Sequence, residues 1–139
     1  MTKADEIILD LKQQGHKITE VRTELVKILL ESDTPLTIID LIKKLERKKL
    51  KPNKTTVYRE VEFLRDLEVI EEVDFGEGKK RYEISNQHHH HVVCVNCKTI
   101  KDVSMDKDID SYSKRIIEKT GFKSIGHTLE FFGLCPVCQ

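Results

Sequence analysis

The chain has 139 residues, and its 24 basic side chains balance its 24 acidic ones. That length holds one domain or two small ones. No apolar run approaches the ~18 residues of a membrane-spanning helix. The opening "MTKADEIILDLKQQG" breaks its apolar positions with charges, unlike a secretory leader, so a cytoplasmic protein is expected.

The first half reads as helical. "ADEIILDLKQQG" puts Ile7, Ile8 and Leu11 on one face and stops at Gly15. Thr19 can cap a second helix with Val21, Leu25, Ile28 and Leu29 in a stripe, and Thr37 a third with Ile38, Leu41, Ile42 and Leu45. A fourth helix is expected over Lys54–Val69, its face carrying Val57, Val61, Leu64 and Leu67. Two alternating runs in "IEEVDFGEGKKRYEI" then flank Gly76 and Gly78, a hairpin signal. Helices followed by a hairpin make a winged helix-turn-helix.

Neutrality hides an asymmetry. Residues 43–59 carry Lys43, Lys44, Arg47, Lys48, Lys49, Lys51, Lys54 and Arg59 against Glu46 alone, and the next stretch is acidic. A basic block is a footprint for phosphates, and a solvated helix end is its bland alternative. The start of the fourth helix offers Lys54, Thr55, Thr56, Tyr58 and Arg59, side chains that reach phosphates and base edges.

The second half changes character at "SNQH" (85–88), which reads as a hinge. Strands are expected at "HHVVCV" and "KTIKDV", a helix from the Asp-rich segment to Gly121, and a strand in "FKSIGHTLEFFGLC". The expected fold is α+β, with a winged helix-turn-helix over residues 1–84 and a metal-binding α/β half over residues 85–139.

The four cysteines form two Cys-x-x-Cys pairs, Cys94/Cys97 and Cys135/Cys138. Two such pairs suit a closed, tetrahedral structural Zn²⁺ site. Inert thiols and a redox dithiol are the weaker alternatives. Just before the first pair stand His88, His89, His90 and His91. On a strand, alternate side chains face opposite ways, so one run can feed two metal sites. Glu83, Asp102, Asp106, Asp108, Asp110 and His127 are the nearby donors in sequence. Mixed imidazole and carboxylate sets suit Zn²⁺, Fe²⁺ or Mn²⁺. A solvated histidine loop is the alternative.

Together, "GHKITEVR" (15–22), "TTVYREVEFLRDLEVI" (55–70), "GEGKKRYE" (76–83), "HHHHVVCVNC" (88–97) and "GHTLEFFGLCPVC" (126–138) resemble the ferric uptake regulator (Fur) family of metal-dependent bacterial repressors. The resemblance spans nearly the whole chain. It implies a homodimer, with residues 1–84 the winged-helix DNA-binding domain and residues 85–139 the dimerisation and metal-binding domain, that binds double-stranded DNA at an A/T-rich palindrome when metal-loaded. It implies that Tyr58 and Arg59 read DNA, that Lys17 reaches the minor groove, and that the four cysteines hold structural zinc. It implies a dimerisation-domain site of His88, His90, Asp110 and His127. It also implies a sensing site at the hinge, of His89, His91 and Glu83 completed by Glu71 or Asp102. Many iron and peroxide regulators of the family place a histidine just before the third helix, where this chain has Pro35. The resemblance therefore favours zinc as the regulatory metal, with iron next and manganese possible. A metalloenzyme and a metal buffer are the rivals from other classes. Neither accounts for the Tyr-Arg helix.

Overall fold

The computed structural model describes residues 1–85, 89–103, 108–124, 127 and 129–139, without the side chains of 108–110. The chain divides into two compact units, Met1–Ser85 and Asn86–Gln139.

The first unit contains α1 (Lys3–Gln13), α2 (Glu20–Glu31), α3 (Ile38–Arg47), α4 (Lys54–Asp66), β1 (Ile70–Asp74) and β2 (Lys80–Ile84). Each helix starts where a side-chain oxygen satisfies otherwise unpaired amides. Thr2 and Thr37 form reciprocal capping boxes with Asp5 and Asp40, Thr19 accepts from the Arg22 amide, and Asn53 accepts from the Thr56 amide. The stripes read from the sequence converge on one core, in which Leu25, Val26, Leu41, Leu45, Val57 and Leu64 are sealed from solvent. The hairpin pairs Ile70 with Ile84 and Val73 with Arg81. Tyr82 also exchanges two backbone hydrogen bonds with Leu36, of 2.9 and 2.8 Å, which ties the wing to the chain before α3.

Helix α4 ends three residues earlier than the expected Lys54–Val69. Its last turn closes by bonds from the Glu68 amide to the Arg65 carbonyl and from the Val69 amide to the Leu64 carbonyl. The left-handed position is Glu68, at φ 61°. Glycine usually marks such a stop, as Gly15 does after α1 at φ 88°.

The second unit contains β3 (His90–Cys94), β4 (Ile100–Val103), α5 (Asp108–Thr120) and β5 (Glu130–Gly133). The sheet order is β4-β3-β5. Strand β3 lies antiparallel to β4 and parallel to β5. Among the described residues, the expected strand in "FKSIGHTLEFFGLC" narrows to its last part. The hinge residues 86–88 lie outside the described residues.

Candidate metal centres and nucleic-acid interface

The two Cys-x-x-Cys turns meet. Cys94 ends β3, and Cys135 follows β5, its parallel neighbour. All four sulfurs lie within 4.8 Å of one another as free thiols. Zn–S bonds of ~2.3 Å in a tetrahedron put sulfurs about 3.8 Å apart, and Cys97 Sγ lies 3.7 Å from Cys135 Sγ. The Cys135 and Cys97 amides donate to Cys94 Sγ at 3.4 and 3.5 Å. These amides bring the Cys94 pKa down to about 6. The Thr99 hydroxyl lowers that of Cys97. The Asn96 side chain pulls Cys138 down, but the neighbouring sulfurs, Cys135 foremost, outweigh it and drive its pKa up to about 11. Four crowded thiols cannot all ionise without a cation among them. The donor set, the spacing and the amide support fit Zn²⁺, which would hold the end of the chain to β3.

The histidine run divides between the two faces of β3. His91 pairs in register with Asp102 of β4 on one side and with Glu130 of β5 on the other. Paired residues share a face, so this imidazole sits between two carboxylates. Its Nε2 is 3.4 Å from Asp102 Oδ1 and its Nδ1 is 3.7 Å from Glu130 Oε2. His91 is only 3% exposed. The His89 ring packs edge-on against it, 4.9 Å between centroids. His91 thus has a carboxylate beside each ring nitrogen, Asp102 at Nε2 and Glu130 at Nδ1, with the His89 ring packed against it. Glu130 was not read from the sequence. It lies 39 positions from His91 and reaches it only through parallel strand pairing, which leaves no local signature.

His90 turns to the opposite face. Its ring lies 5.4 Å from that of His127, and its Nδ1 is 2.9 Å from the Leu129 carbonyl. A carbonyl only accepts, so neutral His90 carries its proton on Nδ1 and leaves Nε2 as the ligand atom. The structure brings His90 and His127 together. Their expected companions, His88 and the Asp110 side chain, lie outside the described residues. In the first unit, Glu71 stands directly opposite Glu83 across the hairpin. Like charges so placed repel unless a cation or solvent separates them.

Five of the expected DNA readers lie in the first half of α4. Lys54, Thr55, Tyr58 and Arg59 are exposed and Thr56 is half-buried, while Val57 and Val61 point into the core. The Lys54 ammonium lies 5.8 Å from the centre of the Tyr58 ring. A cleft of about 430 Å³ runs from Lys54 and Tyr58 past Arg65 to Lys79 and Lys80 of the wing. Lys17 is exposed in the α1–α2 turn. These positions suit contact with a polyanion.

Comparison with known proteins agrees with this geometry. The family model described as "Ferric uptake regulator family" matches residues 13–132. The chain is 35% identical to the ferric uptake regulation protein of Campylobacter jejuni, over 93% of this chain and 83% of that one. It is 31% identical to the ferric uptake regulation protein of Bacillus subtilis, over 99% and 95%. Its fold is similar to that of the Helicobacter pylori ferric uptake regulator Fur, described as having three functional metal binding sites. That match has a TM-score of 0.77 at 27% identity and covers 96% of this chain and 89% of that one. Motif order, fold and match over most of its length place this chain in the ferric uptake regulator family, as a DNA-binding, metal-dependent transcriptional regulator.

Proposed function

We propose that this chain acts as a homodimer that represses metal-uptake genes by holding an A/T-rich palindrome in its metal-loaded state. The observation that carries the metal-sensing part is the burial of His91 between Asp102 and Glu130. An imidazole held beside two carboxylates, with a second imidazole packed on it, offers the nitrogen and oxygen donors that suit a divalent cation. The proposed roles are structural Zn²⁺ on Cys94, Cys97, Cys135 and Cys138, a regulatory metal on His89 and His91 with Asp102, and a further site on His90 and His127 with His88 and Asp110.

Regulation follows from linkage. A metal that binds the DNA-competent state better than the other state shifts the population by that difference in affinity alone. In this proposal a carboxylate from the winged-helix unit, Glu83 or Glu71, supplies the difference. DNA is read by Lys54, Thr55, Thr56, Tyr58 and Arg59 in the major groove and by Lys17 in the minor groove. A homodimer is supported by the exposure of Phe122, Phe131 and Phe132 in the second unit.

For the regulatory metal, the oxygen-rich donor set and the names of the relatives favour Fe²⁺. Zn²⁺ is the second reading, favoured by Pro35, which stands where many iron regulators of the family have a histidine and is fully buried. The test is duplex binding by protein carrying zinc only at its cysteines, titrated with buffered Fe²⁺ under anaerobic conditions, Zn²⁺ and Mn²⁺. Tightening by micromolar Fe²⁺ with no response to sub-nanomolar Zn²⁺ supports the iron reading. The reverse supports zinc. Unchanged binding with all three contradicts metal regulation.

A further inference from the structure

Arg22 closes the "GHKITEVR" motif without a role in the reading above, and its surroundings supply one. It lies in the first turn of α2, where its amide donates to the Thr19 hydroxyl at 3.1 Å. Its guanidinium grips Glu60 of α4 through two bonds, Nε to Oε2 at 2.8 Å and Nη2 to Oε1 at 3.1 Å. The same group lies 3.8 Å from the centre of the Phe63 ring, one turn further along α4. Its remaining nitrogen, Nη1, donates to the backbone carbonyl of Lys17. The two charged side chains are 12% and 15% exposed, so this pair is far less screened than a surface pair. His16, the neighbour of Lys17, sets its ring edge on Phe63 at 5.0 Å.

One planar guanidinium therefore joins three things: the start of α2, the backbone at Lys17, and the recognition helix one residue beyond Arg59. We infer that Arg22 is a positioning residue for DNA binding, fixing the Lys17 turn to α4 so that minor-groove and major-groove contacts are made in register. The fork geometry matters here. A lysine at 22 keeps the charge but cannot make two parallel bonds to Glu60, stack on Phe63 and reach the Lys17 carbonyl at once.

This inference rests on the proposed role of Lys17, and a double-mutant cycle separates the two. Full-length, metal-loaded wild type, K17A, R22K and the double variant are titrated on an A/T-rich palindromic duplex selected with the wild type. Temperatures are kept well below each unfolding midpoint. K17A should weaken binding about tenfold and lower the salt slope by about one. R22K, with its charge retained, should weaken binding roughly fivefold and lower the slope in the same way, because the Lys17 side chain is no longer seated. The double variant should fall within about twofold of K17A alone, since both changes remove one interaction. Glu60→Gln, which breaks the fork from the α4 side, should copy R22K.

Fully additive losses with an unchanged salt slope in R22K would show a merely structural Arg22 and overturn the inference. K17A without effect, on a wild type that binds with metal, would remove the role of Lys17 and the inference with it, and leave metal-dependent repression standing. A wild type that binds no duplex with or without metal would overturn the proposed function itself.

Discussion

The two units of this chain are stabilised in different ways. The first buries a continuous set of leucines, valines and isoleucines from four helices and a hairpin. In the second, the buried apolar side chains among the described residues are Val93, Cys94 and Ile100, and two of its buried groups are His90 and His91. Large apolar groups such as Ile116, Ile117, Phe122 and Phe132 lie exposed there instead. The first unit can fold on hydrophobic burial alone. The second places the proposed ligand side chains where a core would be, and under the proposed function its order would depend on ions and on a second chain. That asymmetry suits the proposed function, which asks for a DNA reader that stays folded and a sensor whose state depends on metal.

Removing the structural zinc should have the largest effect. Cys94→Ser breaks a site whose binding is worth on the order of 10 kcal/mol. Backbone amide signals of the second unit should collapse to disordered positions while those of Met1–Ser85 stay dispersed. Loss of both sets together would mean that the units are not independently stable. Leu64→Ala is the converse experiment. Leu64 is fully buried in α4, and its truncation should cost about 2–5 kcal/mol in thermal or denaturant unfolding of the first unit. Zinc content should remain unchanged. Zinc loss in this variant would show that the two stabilities are coupled.

Arg59→Ala acts on function without touching either core. It should weaken binding to the operator by about 1–3 kcal/mol and relax specificity at one base position. Metal content and the unfolding midpoint should match the wild type. A loss of zinc would remove Arg59 from the DNA face. The smallest effect is expected at the cap of α3. Thr37 accepts from the Asp40 amide at 3.1 Å, and Asp40 accepts from the Thr37 amide at 3.0 Å. Thr37→Ala should cost about 1 kcal/mol. Burial works against the charged Asp40 carboxylate, but its bonds to Thr37 outweigh it and hold the pKa below 3.8. The stabilisation is therefore complete at pH above 3.8 and is lost as pH falls through the lowered value. Thr37→Ala should flatten that acid limb.

The sequence was most legible where one local rule decides. Thr19 and Thr37 announced their helices because a hydroxyl before an apolar stripe has one obvious use. The paired Cys-x-x-Cys spacings pointed to one four-sulfur site, and the four sulfurs do meet. The end of α4 was misread because Glu68 takes a left-handed position usually given to glycine. The Glu130 carboxylate escaped because parallel pairing of β5 with β3 is set by the crossover of the chain and not by spacing. Arg22 stood in a recognised motif, but its fork to Glu60 spans 38 positions and has no sequence signature.

The central claim is that the histidines beside Asp102 sense the metal that switches DNA binding. The most direct measurement compares the wild type with a His89→Ala, His91→Ala variant, both loaded with zinc at the cysteines, in operator binding with and without added regulatory metal. The account predicts a folded, dimeric variant with basal affinity and no tightening when metal is added. A variant that tightens on DNA as the wild type does would place the sensing site elsewhere and contradict the account.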